Sequence, residues 1–298
     1  MTEINTRPGK ATSTAIAWML LAVALFSVMD AAMKWLTPFF PPLQITALRG
    51  LTSVPLLAAW ILFAGTWRRL RPRRYSLHLL RGVLGIFMLA SFAYGLKRLS
   101  LADTYTLFFI GPLLITLFAA PLLGEQVGRA RWTAILVGLV GVLVVLRPTG
   151  SGYASLGAAA VLGAAIAYAV SAVTVRVLSR TDTLEAMMFW MTAQIAVGAT
   201  VLTGAHWQPV TSEHWPAIVV IGVTGTIAQY ALMRAFQLGE ASAIAPFEYC
   251  ALAFGVLIDW WLWQTLPDRY VFIGAAIIIG SGIYLIRAER THLEAEHP

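Results

Sequence analysis

The sequence predicts an all-α integral membrane protein with ten transmembrane helices, laid out as two inverted five-helix repeats. Three observations carry that expectation. Of the 298 residues, 59% are apolar and only 12% charged, against roughly 25% charged in a soluble domain. A buried core could not hide that much apolar surface, so lipid must act as solvent. The apolar residues gather into ten runs of spanning length. Finally, the stretch from Ser100 to Arg147 has a small-residue entry, a long apolar run, a turn and a second, glycine-studded run, and this layout returns about 139 residues later. A repeat of this size decides a fold before any local motif does.

The runs fall at 14–35, 44–64, 76–95, 101–121, 130–146, 154–177, 184–203, 215–236, 242–262 and 270–287. Each is roughly 17–25 residues, enough for a helix to cross the hydrocarbon layer. The first run is too long for a signal peptide and lacks a small-residue cleavage site before a soluble domain. The domain boundaries expected from these runs are a tail at 1–13, repeats at 14–147 and 154–287, and a second tail at 288–298.

Basic residues orient the chain. The segment between the second and third runs holds Arg68, Arg69, Arg71, Arg73 and Arg74, while its counterpart between the seventh and eighth holds no lysine or arginine. With both termini cytoplasmic, those five join Arg7, Lys10, Arg129, Arg131, Arg176, Arg180, Arg234, Arg287 and Arg290 inside. Lys34, Lys97, Arg98, Arg147 and Arg269 fall outside, giving fourteen against five, and Arg49 and Arg81 lie within runs. The net charge of +7 thus belongs to a membrane surface, not to a nucleic-acid groove. Five helices per half is an odd number, so the second half enters the membrane from the opposite side. Inverted repeats with a site at their interface are a hallmark of secondary transporters.

Leu123-Gly124-Glu125 at the end of the fourth run, Gly138 and Gly141 in the fifth, and E-A-S-A-I-A-P-F-E-Y from Glu240 to Tyr249 resemble the drug/metabolite transporter superfamily, in particular its ten-helix EamA-type members. The resemblance covers about Ala15 to Arg287. Aromatic content adds a likeness to the YddG-type exporters of aromatic amino acids. One departure is Trp263-Gln264, where the family commonly has Gly-Glu. The resemblance implies export of amino acids or related small metabolites from the bacterial cytoplasm across the inner membrane, by alternating access around a central cavity.

Ionisable groups within a bilayer cost about 2.5–3.5 kcal/mol at a helix centre on insertion scales, so each calls for an account. Asp30 and Lys34 are four apart on one helical face, and Arg49 enters from the same outer side. They form either a structural ion cluster or an outer gate with a substrate-carboxylate site. Glu248, just after Pro246, is either a carboxyl satisfied by neighbouring helices or a group contacting a substrate ammonium or carrying a proton. Glu125 and Asp259, at helix ends, read as structural. Trp18, Tyr94, Tyr105, Phe108, Tyr168, Trp190, Tyr230, Phe247 and Tyr249 are cavity candidates, because flat rings with a few polar tips suit a ring-bearing solute. Lipid contact is the alternative for most of them, and Tyr168 and Tyr249 fall nearest the midplane. Pro112, Pro121 and Pro246 are hinge candidates in the equivalent fourth and ninth runs. Gly163, Ala167 and Ser171 give the sixth a smooth face for close helix approach.

One cysteine, Cys250, and five scattered histidines offer neither an internal disulfide nor metal-ligand spacing, and no cofactor is expected. No phosphate-binding loop or serine-nucleophile pattern is present. The expected partners are a small-molecule substrate and the bilayer, with a monomer possible and the oligomeric state open. The leading function is a secondary transporter, not an enzyme. The rivals are a membrane-embedded enzyme and a non-transporting membrane component.

Overall fold

The computed structural model describes residues 8–123, 129–146, 155–238 and 245–296. Regular structure among the described residues is helical throughout: α1 Pro8–Leu36, α2 Pro42–Phe63, α3 Tyr75–Leu96, α4 Leu101–Phe108, α5 Gly111–Leu123, α6 Arg129–Leu146, α7 Leu156–Leu178, α8 Leu184–Thr203, α9 Trp215–Leu238, α10 Cys250–Trp263 and α11 Arg269–Glu296. Six helical stretches are long and apolar enough to cross a membrane: Ser13–Leu36, Pro42–Phe63, Tyr75–Leu96, Leu156–Val175, Leu184–His206 and Ser212–Ala235. Leu101–Ile115, Trp132–Leu146 and Arg269–Tyr284 are shorter apolar helices. Large side chains such as Phe63, Val201 and Trp261 point outward at 93%, 72% and 72% exposure, a flank suited to lipid tails.

Local chemistry explains the ends. Ser100, Ser155 and Thr183 each accept a hydrogen bond from the backbone N–H three residues on, which caps α4, α7 and α8. Pro42 sits at the first position of α2, where its missing N–H costs nothing. Gln264 ends α10 in the left-handed region at φ 53°.

The expected fourth span is not one helix. It breaks at Phe109–Ile110 into α4 and α5, and Pro112 falls in the first turn of α5, the place where a proline is tolerated best. The ninth opens with a 3-10 turn over Ala245–Tyr249 before α10. The helices also run past the expected tail boundaries, α1 from Pro8 and α11 to Glu296. In α11 the cause is its strongly helix-forming end, A-E-R-T-H-L-E-A-E. Glu125, the 147–154 connection and Glu240–Ile244 lie outside the described residues.

Helices pair in a two-fold pattern. The closest partners are α1 with α9, α3 with α7, α2 with α8, α4 with α10, and α6 with α11. If the halves are superposed in order, α1 corresponds to α7 and α3 to α9, so the first two pairs exchange and the other three map onto themselves. Small residues permit the crossings. A Cβ placed on Gly50 would come within 2.6 Å of Ala196 Cα, and one on Gly141 would come within 3.0 Å of the Gly274 carbonyl.

The two ends of the bundle are tied by different chemistry. At the arginine-rich end, Thr183 Oγ1 donates to the Arg69 carbonyl at 2.7 Å, the Arg73 N–H donates to Asp182 Oδ1 at 2.6 Å, and His78 lies 3.2 Å from the same oxygen. Burial pushes the Asp182 carboxyl up, but hydrogen bonds from Thr181, the Arg73 N–H and His78 outweigh it and hold it below the usual carboxylate range. At the opposite end, Gln44 and Gln208 exchange two hydrogen bonds, at 2.7 and 2.8 Å. Because α2 runs from Gln44 toward the arginine-rich connection, segments 64–74 and 204–214 lie at opposite ends.

Candidate functional site

A cavity of about 340 Å³ lies between α2, α3, α7, α8 and α9. Helical periodicity selects its walls. Arg49, Ser53 and Leu57 come from α2 at four-residue spacing, Tyr168, Ser171, Ala172 and Val175 from α7, Met188, Met191, Thr192 and Ile195 from α8, and Gly225, Gln229 and Leu232 from α9. From α3 come Arg81, Met88 and Leu89, with Thr226 of α9 completing the polar set. A second space of about 360 Å³ shares Arg81, Val175, Met188, Gln229 and Leu232, and adds Leu184, Met187 and Met233 toward the arginine-rich end.

The opposite end is closed. Tyr105 donates to Asp30 Oδ2 at 2.9 Å. Lys34 Nζ meets Asp259 Oδ1 at 2.7 Å, while Asp259 Oδ2 accepts the Ala102 N–H at 3.0 Å. The Lys34 ammonium also lies 4.3 Å from the centre of the Trp263 ring. The His214 ring packs against Phe39 and Phe40 at 4.7 and 4.8 Å.

Charge in the cavity is one-sided. Among the described residues no carboxylate lines the cavity, yet two guanidiniums do. Arg81 is 7% exposed, donates from Nη1 to the Met187 carbonyl at 3.2 Å and from Nη2 to the Met191 sulfur at 3.3 Å, and leaves Nε buried without a partner among the described residues. Arg49 of α2, half-buried, lies within electrostatic reach of Asp30 of α1. A Cβ on Gly225 would come within 2.8 Å of the Met29 sulfur and stand in ordinary contact, at 3.5 Å, with Arg49 Nε. Neither arginine forms an ion pair within 4.0 Å among the described residues. Arg81, buried and left in this state, favours an anion arriving from outside.

The sequence candidates divide. Tyr168 and Arg49 line the cavity. Phe108 stands behind Tyr168 with ring centres 5.3 Å apart, and links it to Phe92 at 5.4 Å. Glu248 is half-buried in the turn before α10, outside the lining but within electrostatic reach of Tyr168 and Tyr249. Tyr249 packs edge-on to Phe109 at 5.1 Å. Tyr105, Asp30 and Lys34 belong to the closed end, and Lys34 pairs with Asp259 rather than with Asp30.

Trp190 donates from Nε1 to the Leu70 carbonyl at 2.8 Å, anchoring the arginine-rich connection. Tyr94 lies under Arg98, and Trp18 and Tyr230 pack edge-to-face at 6.0 Å beside Trp60. None of these four lines the cavity. Pro112 begins α5, Pro121 falls in its last turn and Pro246 in the 3-10 turn. Sequence reasoning missed Arg81, Gln229 and the methionines. A cation inside an apolar run was the available signal for Arg81, and M-M-F-W-M from Met187 to Met191 was a hint of an adaptable wall.

The model of the EamA-like transporter family matches residues 13–147 and again 155–288. The chain belongs to that family. It is similar to an S-adenosylmethionine uptake transporter of Rickettsia conorii, 26% identical over 95% of this chain and 96% of the relative. It is also similar to the pseudopaline exporter CntI of Pseudomonas aeruginosa, 28% identical over 91% of this chain and 95% of the relative. A solved crystal structure shares the fold at a TM-score of 0.65, with 22% identity over 95% of this chain and 98% of that one. This member of the family is therefore a multi-pass membrane protein whose relatives are transporters of small molecules.

Proposed function

We propose that the chain is a ten-span secondary transporter with inverted halves and cytoplasmic termini in a bacterial inner membrane. It moves small amphiphilic metabolites outward by alternating access. The span count rests on reading α4–α5 and the turn plus α10 as broken fourth and ninth spans, and the inversion on segments 64–74 and 204–214 lying at opposite ends. One observation carries the solute class: a mostly apolar cavity with two guanidiniums and no lining carboxylate. The apolar wall takes up the hydrocarbon part of a solute, while Arg49 orients an anionic group, with hydroxyls of Ser53, Thr192 and Thr226 nearby. Amino acids with apolar or aromatic side chains and related carboxylates are the class the sequence suggests, and Tyr168 gives such a ring a surface to stack on.

The two relatives move different solutes in opposite directions by name, so the cavity, not similarity, must identify the cargo. The test is counterflow in proteoliposomes loaded with tryptophan, threonine, an organic carboxylate or a nucleoside. The reading predicts saturable exchange of at least one carboxylate-bearing solute and its loss in Arg49→Gln. No saturable flux for any of them overturns it.

A further inference from the structure

Arg81 shares the cavity with Arg49, yet Arg49 alone suffices to hold a single anionic group. Arg81 is nine-tenths buried, has neither an acidic partner nor an Nε partner among the described residues, and borders both spaces of the cavity. A guanidinium held only by a carbonyl and a thioether is an expensive way to stabilise a helix pair. The expense is recovered when an anion binds, since Arg presents a fork that matches carboxylate or phosphate oxygens.

Arg49 and Arg81 lie at different depths. Arg49 is seven residues into α2 from the closed end, and Arg81 six into α3 from the arginine-rich end, in antiparallel helices of 22 residues each. At 1.5 Å per residue, about 12 Å of rise separates the two levels, and flexible side chains reach into the space between. Acids on the neighbouring segments are engaged or set back: Asp30 accepts from Tyr105, Asp182 accepts from the Arg73 N–H, Glu185 pairs with Arg69 at 3.4 Å, and Glu248 is not part of the lining.

We infer that Arg81 forms a second anion subsite and that the transported solute carries two separated anionic groups, one for each arginine, on an apolar or aromatic body. This rests on the transporter reading and narrows its solute class from carboxylate-bearing metabolites in general to dianions. Methionines 88, 188 and 191 line the space between, a soft wall that accepts bodies of varied shape.

The experiment compares linear dicarboxylates from succinate to suberate, and phenylsuccinate, with their monoamides. Binding is read by ligand-induced thermal shift of the purified full-length protein, and uptake by counterflow. At least one diacid should bind about tenfold or more tightly than its own monoamide. That ratio should fall toward unity in Arg81→Gln and return in part in Arg81→Lys. The wild-type comparison needs no variant to fold. Equal affinity for every diacid and its monoamide overturns the second subsite, as does an unchanged ratio in Arg81→Gln. Flux of monoamides without a diacid preference leaves the transporter reading standing, whereas flux of nothing removes both.

Discussion

Lys34 Nζ lies 2.7 Å from Asp259 Oδ1, joining the last turn of α1 to α10 across the end of the molecule away from the arginine-rich connections. The carboxylate is fully buried and the ammonium nearly so, with side-chain exposures of 0% and 13%. The pair therefore couples one helix of each half at the closed end of the cavity.

Removing one partner strands the other charge. Lys34→Met should lower unfolding stability by about 3 kcal/mol, read by thermal denaturation in detergent. Lys34→Met/Asp259→Leu should recover most of that loss. The single variant should also raise labelling of a cysteine placed at Ala102, because the closed end loosens.

Gln264 holds φ at 53°, a conformation that costs a non-glycine residue about 1 kcal/mol. Gln264→Gly should stabilise the protein by about that much, detectable as a higher melting temperature with unchanged transport.

Gly50 allows the α2 and α8 backbones to meet, and a Cβ there would lie 2.6 Å from Ala196 Cα. Gly50→Ala should cost about 1–3 kcal/mol by forcing the helices apart. The same change at Gly65, where φ is 66° and nothing lies within 4 Å, should act through backbone strain alone and cost less.

Asp182 supplies a pH dependence. Its folded value lies below the unfolded one, so its contribution is present above the unfolded value, near 3.9, and is lost as pH falls through the folded value. The stability gap between wild type and Asp182→Asn should thus be full at neutral pH and shrink below about pH 4. Paired thermal melts across that range measure it.

Much of the fold could be read from sequence because lipid imposes a single rule, long apolar runs with satisfied backbones. Breaks inside runs were less legible. Pro112 and Pro246 marked the fourth and ninth runs as hinge candidates, but tertiary packing decides that α4 stops at Phe108 and α5 starts at Gly111. Site residues were harder still. Tyr168 and Trp18 both read as midspan or near-surface rings, but one faces a cavity and the other meets Tyr230 and the flank, and that difference depends on helix rotation. Lys34 found its partner 225 residues away in Asp259, a pairing that local spacing could not reveal.

The central claim is a cavity reachable from each side in turn, and Thr226 on its wall tests it most directly. In a Cys250→Ser background, Thr226→Cys should react with a membrane-impermeant maleimide in both right-side-out and inverted vesicles, and bound solute should slow both reactions. Reaction from one side alone, indifferent to solute, would contradict the account.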